Sequence, residues 1–405
     1  MNKWKIVAVL ALLVTLLSFN WDRIELESRA FVVTLGIDSA DTDDARFEVS
    51  MNIAHTADKE GGGTNSVIMR RAQGDSLAHA MGQLEASISE KVYFGHTKAI
   101  VLGEAVLQDA SLLREVVDTL SRNSEIGIGT IVTATDKKAA EVLAARPKEQ
   151  GLLGVYLSGF FNSKSPGSKG SANTASSAVK LDLEHLDLHL LTSGGVLIPL
   201  ITLESDDEAD NDDDGGSTDN SDSETDSADK EVIINGVAVV RDYALEGYIS
   251  QDDMRGFLWL AESAAGTRVA LETDSGHVTM LISTSSVRYG FSEKDVALVC
   301  RVTLKAEGSI QGMDYADRAD ALFGPDKMVM YQSDFADEIR AEAMAVLDIL
   351  QDYAVDGLGL KERLRKKDRA LFHRFASDGD WCAAYESMAF EVDVDVVIRN
   401  AGAVK

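Results

Sequence analysis

The stretch VALVCRVTLK, residues 296–305, decides the fold of the C-terminal third of this 405-residue chain. Its larger apolar side chains fall on every second residue, and Arg301 and Lys305 lie on the other face. Such an alternation is typical of a β-strand with one apolar and one polar face. Residues 278–284 and 390–398 repeat the pattern. Three strands of this kind predict an antiparallel sheet that is covered on one face.

A long helix is predicted to cover this sheet. Residues 334–353 carry an apolar stripe at helical spacing. Ser333 is the predicted N-cap, because its hydroxyl can accept a hydrogen bond from the backbone, and Gly357 lies just beyond the predicted end. A second helix, rich in Lys and Arg, is predicted over residues 361–375.

The N-terminal half predicts a different arrangement, a mixed sheet covered by helices. Residues 30–37 and 46–54 are rich in Val, Phe and Ile and form a predicted antiparallel pair. From residue 77 to residue 145, segments with helical spacing alternate with short apolar strands. Residues 179–190 alternate Leu with charged residues but slip at His185, so the pattern fits either a bulged strand or a helix.

An acidic tract interrupts the chain. Between Glu204 and Asp229 there are 13 acidic residues and no Lys or Arg. Such a composition cannot bury enough apolar surface to offset the entropy of ordering, so the tract is predicted to be a disordered insertion. The whole chain carries a net charge of -28, which disfavours nucleic acid as a partner.

The sequence therefore predicts an α+β protein of three mixed α/β domains. The predicted segments are a signal peptide or short membrane anchor, an N-terminal α+β domain, a small middle domain with the acidic insertion 204–230, and a C-terminal α+β domain, at residues 1–19, 20–192, 193–268 and 269–405 respectively.

The N-terminus predicts export. Lys3 and Lys5 precede an apolar run from Ile6 to Phe19, which is the order of a secretory signal. As a helix this run would rise about 21 Å, which is short for a bilayer core of about 30 Å. Asn20 stands where a bacterial lipoprotein has its lipidated cysteine, so no lipidation is predicted.

The sequence lacks the motifs of the common reaction mechanisms. We therefore predict no catalytic residue, no metal site and no cofactor. The chain has no GxxxxGK[ST], HExxH or GxSxG motif. His185 and His189 could chelate a metal only if their segment is helical, and no third ligand cluster is evident. Cys300 and Cys382 are too few for a disulfide framework; they either pair, or Cys300 is a small buried residue on its strand.

One basic cluster stands out in this acidic chain, and it is the predicted site of contact with a partner or a membrane surface. The alternative interpretation is a solvated helix face. The cluster consists of Lys361, Arg363, Arg365, Lys366, Lys367 and Arg369.

Several ordered segments resemble a known family, the C subunits of bacterial spore germinant receptors, or Ger(x)C family. The similar segments are NWDRIEL at 20–26, VTLGID at 33–38, YFGHTKAIVLGE at 93–104, GVAV at 236–239, LEGYI at 245–249, RGFLW at 255–259 and DGLGLKERLRKK at 356–367. They are spread over nearly the whole chain. Asn20 departs from the cysteine of the family pattern, and the acidic tract is longer than a family loop.

The resemblance implies a three-domain α+β lipoprotein on the outer surface of the spore inner membrane. Such subunits assemble with membrane-embedded A and B subunits into a nutrient receptor that triggers germination. The family has no assigned enzymatic activity, so a non-catalytic subunit is expected. The rival interpretation is an extracytoplasmic enzyme or small-ligand binding protein.

Overall fold

The computed structural model describes residue 4 and residues 29–42, 44–55, 66–145, 147, 151–162, 179–204, 231–273, 276–313, 325–376 and 381–400. Asn20, nearly all of the predicted signal segment 1–19 and nearly all of the acidic insertion 204–230 lie outside these residues. Within them, no helix combines the length and the apolar character that a bilayer crossing requires.

Thirteen strands and eleven α-helices occur in the described part of the chain. The strands are β1 Arg29–Ser39, β2 Phe47–His55, β3 Ser66–Gly74, β4 Lys91–Tyr93, β5 Ala99–Leu102, β6 Ile131–Thr135, β7 Gly195–Glu204, β8 Glu231–Arg241, β9 Ala244–Ile249, β10 Arg268–Thr273, β11 Gly276–Lys294, β12 Ala297–Met313 and β13 Ala389–Asn400. The helices are α1 Leu77–Ala86, α2 Glu104–Gln108, α3 Ala110–Arg122, α4 Ala139–Ala144, α5 Leu153–Asn162, α6 Leu183–Thr192, α7 Arg255–Leu260, α8 Pro325–Asp352, α9 Leu360–Lys367, α10 Arg369–Phe375 and α11 Trp381–Glu386.

The larger sheet has the order β3-β2-β1-β5-β6-β7-β8-β9, and β4 pairs with β1. Its centre is parallel, because β1, β5, β6 and β7 all run in one direction. The predicted antiparallel pair of β1 and β2 is confirmed. We call the side on which the four parallel strands begin the amino edge and the side on which they end the carboxyl edge. The amino edge includes Arg29, Lys98, Thr130 and Gly194, whereas the carboxyl edge includes Ser39, Gly103, Asp136 and Glu204.

The strands of the predicted middle domain extend this same sheet. β7 pairs in parallel with β6, and β8 and β9 continue the sheet in antiparallel pairs. Backbone hydrogen bonds therefore link the regions 20–192 and 193–268, and the predicted boundary falls between α6 and β7.

The C-terminal sheet has four strands in the order β10-β11-β12-β13. Of the three strands predicted to be antiparallel, β11 and β12 are antiparallel, but β13 pairs in parallel with β12, so the sheet is mixed. The fourth strand, β10, was not predicted and pairs antiparallel with β11. The direction of β13 follows from the connection. After β12 the chain passes through α8 to α11 and enters the sheet again at the end where β12 begins. The predicted fold class, mixed α/β with helices on the C-terminal sheet, is confirmed.

Helix boundaries differ from the prediction at two places. α8 begins at Pro325 rather than at residue 334, so the prediction of Ser333 as N-cap is wrong. A proline fits the first turn of a helix because the turn needs no hydrogen bond from its nitrogen. The predicted basic helix is two helices, because Asp368 ends α9 and caps α10 by accepting from the backbone N–H groups of Ala370 and Leu371.

One apolar core joins the two sheets. Leu197 of β7, Val239 of β8 and Ile249 of β9 pack in the same cluster as Val302 of β12 and Phe335 of α8. The opposite face of the large sheet packs mainly against α1, α3 and α6. The C-terminal sheet and its helices therefore form the cover of β7, β8 and β9.

Candidate functional site

The loop between α8 and α9 lies where the C-terminal region contacts the amino edge of the large sheet. Its centre is Asp356, a carboxylate that is only 2% exposed. Asp356 Oδ1 accepts a hydrogen bond from Leu360 N at 2.7 Å, and Oδ2 accepts one from Lys361 N at 2.8 Å. Burial raises the pKa of Asp356, whereas these two N–H groups oppose the rise. The carboxylate thus caps the first turn of α9.

Two glycines allow this loop to lie directly on β7. A Cβ atom on Gly357 would be 2.5 Å from Leu197 Cδ1, and one on Gly195 would be 2.9 Å from Val355 Cγ2. Gly359, in the left-handed region at φ +65°, turns the chain into α9. The DGLGL segment of the sequence is therefore the seam between the two sheets.

Three of the predicted basic residues hold α9 in place. Lys361 Nζ donates to Thr192 O at the end of α6 at 2.6 Å. The guanidinium of Arg363 lies 4.6 Å from the ring centre of Tyr289, and its Nε donates to Leu358 O. Lys367 Nζ donates to Tyr289 O. These cations are structural contacts of the seam.

The other three predicted cations lie on the solvent side. Arg365 forms two hydrogen bonds of 2.6 Å with Glu362, and this pairing lowers the pKa of Glu362 to about 2. Lys366 Nζ lies 3.4 Å from the same carboxylate and its side chain is 72% exposed. Arg369, at the start of α10, is exposed. Residues 360–375 carry seven Lys and Arg against two acidic residues.

Exposed apolar side chains lie on and beside α6, the helix that Lys361 of α9 contacts, and the sequence patterns did not reveal them. Leu188 is 50% exposed and Leu191 is 69% exposed on α6, and Ile128 is 65% exposed before β6. Glu184 N at the start of α6 donates to Ile128 O, which places Ile128 beside this helix. The exposure of Leu188 and Leu191 can be inferred only once this segment is assigned as a helix. The buried stripe of that helix then holds Leu183, Leu186 and Leu190, and the other leucines lie off the stripe.

The predicted histidine pair lies on the same helix without a metal-binding arrangement. His185 Nδ1 is 2.6 Å from Asp182 Oδ1, and the rings of His185 and His189 are 6.2 Å apart. Burial, together with the neighbouring His185, lowers the pKa of His189. Among the described residues, no group of three His, Cys, Asp or Glu side chains could hold a metal ion.

The cysteines do not pair. Cys300 is fully buried on β12, where burial raises the pKa of its thiol to about 12, and Cys382 is exposed on α11. Cys300 is therefore the small buried residue of its strand, the second of the two interpretations.

The YFGHTK segment forms an aromatic cluster at the amino edge. The ring of Phe31 lies 5.9 Å from that of Tyr93 and 5.1 Å from that of His96. The guanidinium of Arg29, the first residue of β1, lies 5.2 Å from the centre of the Tyr93 ring. The cluster fixes the start of β1, and Lys98 leads directly into β5.

A polar cavity of about 320 Å³ lies at the carboxyl edge. Asp38, at the end of β1, caps α4 by accepting from Ala139 N at 2.7 Å and from Ala140 N at 2.9 Å. Burial raises the pKa of Asp38 from 3.8 to about 6, although both hydrogen bonds oppose the rise. The cavity is lined by Asp38, Ser39, Asp41, Glu104, Ala105, Lys137, Lys138 and Glu141.

The charges of this cavity are partly paired. Lys138 donates to Asp41, and Glu104 accepts from the hydroxyl of Tyr248 at 3.2 Å. The lining holds four carboxylates, two ammonium groups and one hydroxyl, that of Ser39, but no cysteine or histidine. Its chemistry suits a small charged ligand better than covalent catalysis.

Two sequence models of known domains match the chain in order. The "Spore germination protein N-terminal domain" matches residues 22–203, and the "Spore germination B3/ GerAC like, C-terminal" domain matches residues 235–402. The chain belongs to the GerAC family of spore germination proteins. The resemblance to germinant receptor C subunits that the sequence motifs indicated is thereby confirmed.

Curated relatives of this GerAC chain match over part of their length. Spore germination protein KC of Bacillus subtilis (strain 168) is 29% identical over 147 residues, which are 34% of this chain and 35% of that protein. Putative spore germination protein YfkR of the same strain is 27% identical over 152 residues, 35% of this chain and 38% of that protein. The alignments thus span little more than a third of these relatives.

A crystal structure of the GerBC protein shares the fold. It aligns with a TM-score of 0.54 and 14% identity, covering 90% of this chain and 97% of that one. The first GerAC domain match ends at residue 203 in β7 and the second begins at residue 235 in β8, and β7 and β8 are neighbouring strands of one sheet. The GerAC fold therefore brings the two matched regions together through backbone pairing as well as through the common core.

The capped carboxylate of the cavity predicts a pH dependence. Because the folded-state pKa of Asp38 is raised, the folded state binds this proton more tightly than the unfolded chain. The resulting stability is fully present below pH 3.8 and is lost as the pH rises through about 6. Asp38→Asn is expected to reduce the difference in unfolding free energy between pH 5 and pH 7.5 by about 1 kcal/mol.

Urea unfolding at the two pH values measures this difference. Asp118→Asn, an exposed carboxylate on α3, is the control and is expected to leave the difference unchanged. An Asp38→Asn protein with the same pH dependence as the parent would contradict the prediction.

Proposed function

We propose that this GerAC chain is the non-catalytic C subunit of a nutrient germinant receptor at the outer face of the spore inner membrane. The observation that carries the proposal is the ordered match of both GerAC domains along a chain that also shares the GerBC fold over 90% of its length. In this role the chain assembles with membrane-embedded A and B subunits and couples nutrient detection to germination.

The surface at the seam supports an assembly role. Leu188, Leu191 and Ile128 are large apolar side chains that are at least half exposed, and apolar side chains grouped in this way are typical of contact surfaces. Arg365, Lys366 and Arg369 are exposed cations of the predicted cluster on α9 and α10, and Lys361 joins α9 to the end of α6. We assign contact with a receptor partner or the membrane to these three, because Lys361, Arg363 and Lys367 already bind the fold.

The cavity at the carboxyl edge supports the rival function, binding of a small charged molecule. Ligands of open α/β sheets bind outside the carboxyl ends of parallel strands, and the cavity occupies that place beside β1, β5 and β6. Calorimetric titration with small zwitterions would favour this rival if Asp38→Asn and Lys138→Ala each abolished a measurable heat of binding.

Purification from dormant spores tests the main proposal. A tagged chain extracted from the inner membrane in mild detergent is expected to retain multi-span A and B proteins, and deletion is expected to abolish the response to one nutrient germinant. Leu191→Ser with Lys366→Ser should reduce the amount of chain that is recovered with the inner membrane. Val329→Ser, an equally exposed position at 65% on α8, is the matched control. A chain that purifies without membrane proteins, and whose deletion leaves every nutrient response intact, would overturn the proposal.

A further inference from the structure

The amino edge gathers the starts of all the parallel strands at one end of the molecule. Lys98 N donates to Val33 O in β1 and Ile131 N donates to Lys98 O, which aligns β1, β5 and β6 there. α6 is held at this edge at both ends, because Asp182 bridges to Ile131 and the chain enters β7 at Gly195. The exposed side chains of Leu188 and Leu191 therefore border this edge.

Positive charge is concentrated beside it. Lys361 of α9 contacts the carbonyl of Thr192, the residue that follows Leu191. α6 itself contributes Glu184 and Asp187, so the positive charge comes from α9 and α10, where seven Lys and Arg stand against two acidic residues. The combination of exposed leucines and a basic helix pair matches the chemistry of surfaces that lie on anionic bilayers.

The carboxyl edge has the opposite character. Asp38, Asp41, Glu104 and Glu141 line its cavity, and the tract with 13 acidic residues is attached there, because β7 ends at Glu204. The ten residues of β7 separate the two edges by about 33 Å. Since this separation exceeds the screening length of about 8 Å at physiological ionic strength, an anionic surface attracts one edge without acting on the other.

The position of β1 favours the same orientation. β1 begins at Arg29, on the amino edge, and nine residues separate it from the end of the apolar run Ile6 to Phe19. Nine residues span at most about 30 Å, so a membrane-bound N-terminus keeps the amino edge near the bilayer. The aromatic cluster of Phe31, Tyr93 and His96 lies at the same end.

We infer that the folded chain rests on an anionic bilayer through a basal surface. This surface is defined as Ile128, Leu188, Leu191, Arg365, Lys366 and Arg369. The carboxyl edge, with its cavity and acidic tract, then points away from the lipid. This inference rests on the proposed membrane residence and adds an orientation to it.

Site-specific quenching in vesicles tests the orientation with the full chain. Cys382→Ser removes the exposed thiol and leaves only the buried Cys300. A polarity-sensitive fluorophore is then attached through Leu191→Cys or, as the matched control, Val329→Cys. The two positions are equally exposed, at 69% and 65%. Val329 lies about 35 Å along α8 from the end that meets the seam. Vesicles contain 30% phosphatidylglycerol in phosphatidylcholine, with a nitroxide quencher near the headgroups.

The Leu191 probe is expected to be quenched at least about threefold more than the Val329 probe, because only the basal surface lies within reach of the headgroups. Co-sedimentation of the same samples reports membrane residence separately. If the chain fails to sediment with vesicles, the proposed membrane residence fails and the inference falls with it. If the chain sediments but both probes are quenched equally, or the Leu191 probe stays exposed to aqueous quenchers, the orientation is overturned while residence stands. The latter result would assign the basal surface to an acidic protein partner.

Discussion

Gly256→Ala is expected to lower the free energy of unfolding by about 3 kcal/mol, because it inserts a methyl group between two packed helices. A Cβ atom at position 256 of α7 would lie 1.9 Å from the carbonyl oxygen of Glu342 and 2.5 Å from its carbon. Both atoms belong to the backbone of α8, which cannot move away as a side chain would. α7 must therefore shift.

That shift would also break the polar contacts around Glu342. Trp259 Nε1 donates to Glu342 Oε2 at 2.8 Å, and Arg255 lies 2.9 Å from Glu342 Oε1. Burial raises the pKa of Glu342, so the carboxylate depends on these two partners. Their loss adds to the steric cost.

The same substitution at Gly82 is the control. Gly82 lies inside α1, and an added methyl group there would meet no atom within 4 Å, so Gly82→Ala is expected to stabilise the protein by about 0.5–1 kcal/mol. Denaturant unfolding monitored by circular dichroism measures both variants. A Gly256→Ala protein as stable as the parent would show that α7 and α8 are not packed as described.

Asp356→Ala is expected to cost about 2–4 kcal/mol, since it leaves two N–H groups at the seam without an acceptor. Leu360 N and Lys361 N both donate to this carboxylate, and Leu360 is fully buried. The substitution also removes a buried carboxylate, whose ionised form is disfavoured by burial, and this partly offsets the destabilisation. Asp356→Asn retains one acceptor oxygen and should cost less.

Hydrogen exchange separates a local effect from a global one. The amides of Leu360 and Lys361 are expected to lose protection first in Asp356→Ala. Asp109→Ala, which removes an exposed cap from the N–H groups of Ser111 and Leu112, is the control and should cost about 1 kcal/mol. Equal losses in the two variants would contradict a special role for the buried cap.

Sequence patterns predicted the elements whose residues face a core in a regular period. The alternation in β12 and β13 and the apolar stripe of α8 were sufficient, because burial repeats every two residues in a strand and every three or four in a helix. The N-cap of α1 is Ser76, whose hydroxyl accepts a hydrogen bond from His79 N at 3.2 Å.

Other features of the fold were not predicted because no local sequence pattern indicates them. β3 contains Arg70 and Arg71 and pairs on one side only, so it lacks a clear apolar face. α5 was not predicted, although Leu157 in it is fully buried. The direction of β13 depends on the path of the preceding helices, which alternation does not encode.

The two sites differ in how far sequence could predict them. The basic cluster is a contiguous run, so its existence was evident, but only contacts such as that between Lys361 and Thr192 distinguish anchoring cations from exposed ones. The cavity at the carboxyl edge combines Asp38, Glu104 and Lys138, which are brought together by parallel pairing across more than sixty residues of chain. No spacing rule could have found it.

The pairing of β7 with β8 across the acidic tract has a biochemical consequence. Glu204, the last residue of β7, pairs in register with Glu231, the first residue of β8. The two strands belong to one sheet and one core. A protease that cuts between them would break the polypeptide without dividing the folded particle. The two GerAC halves would stay associated as a nicked complementation pair, separable in denaturant but not by gel filtration.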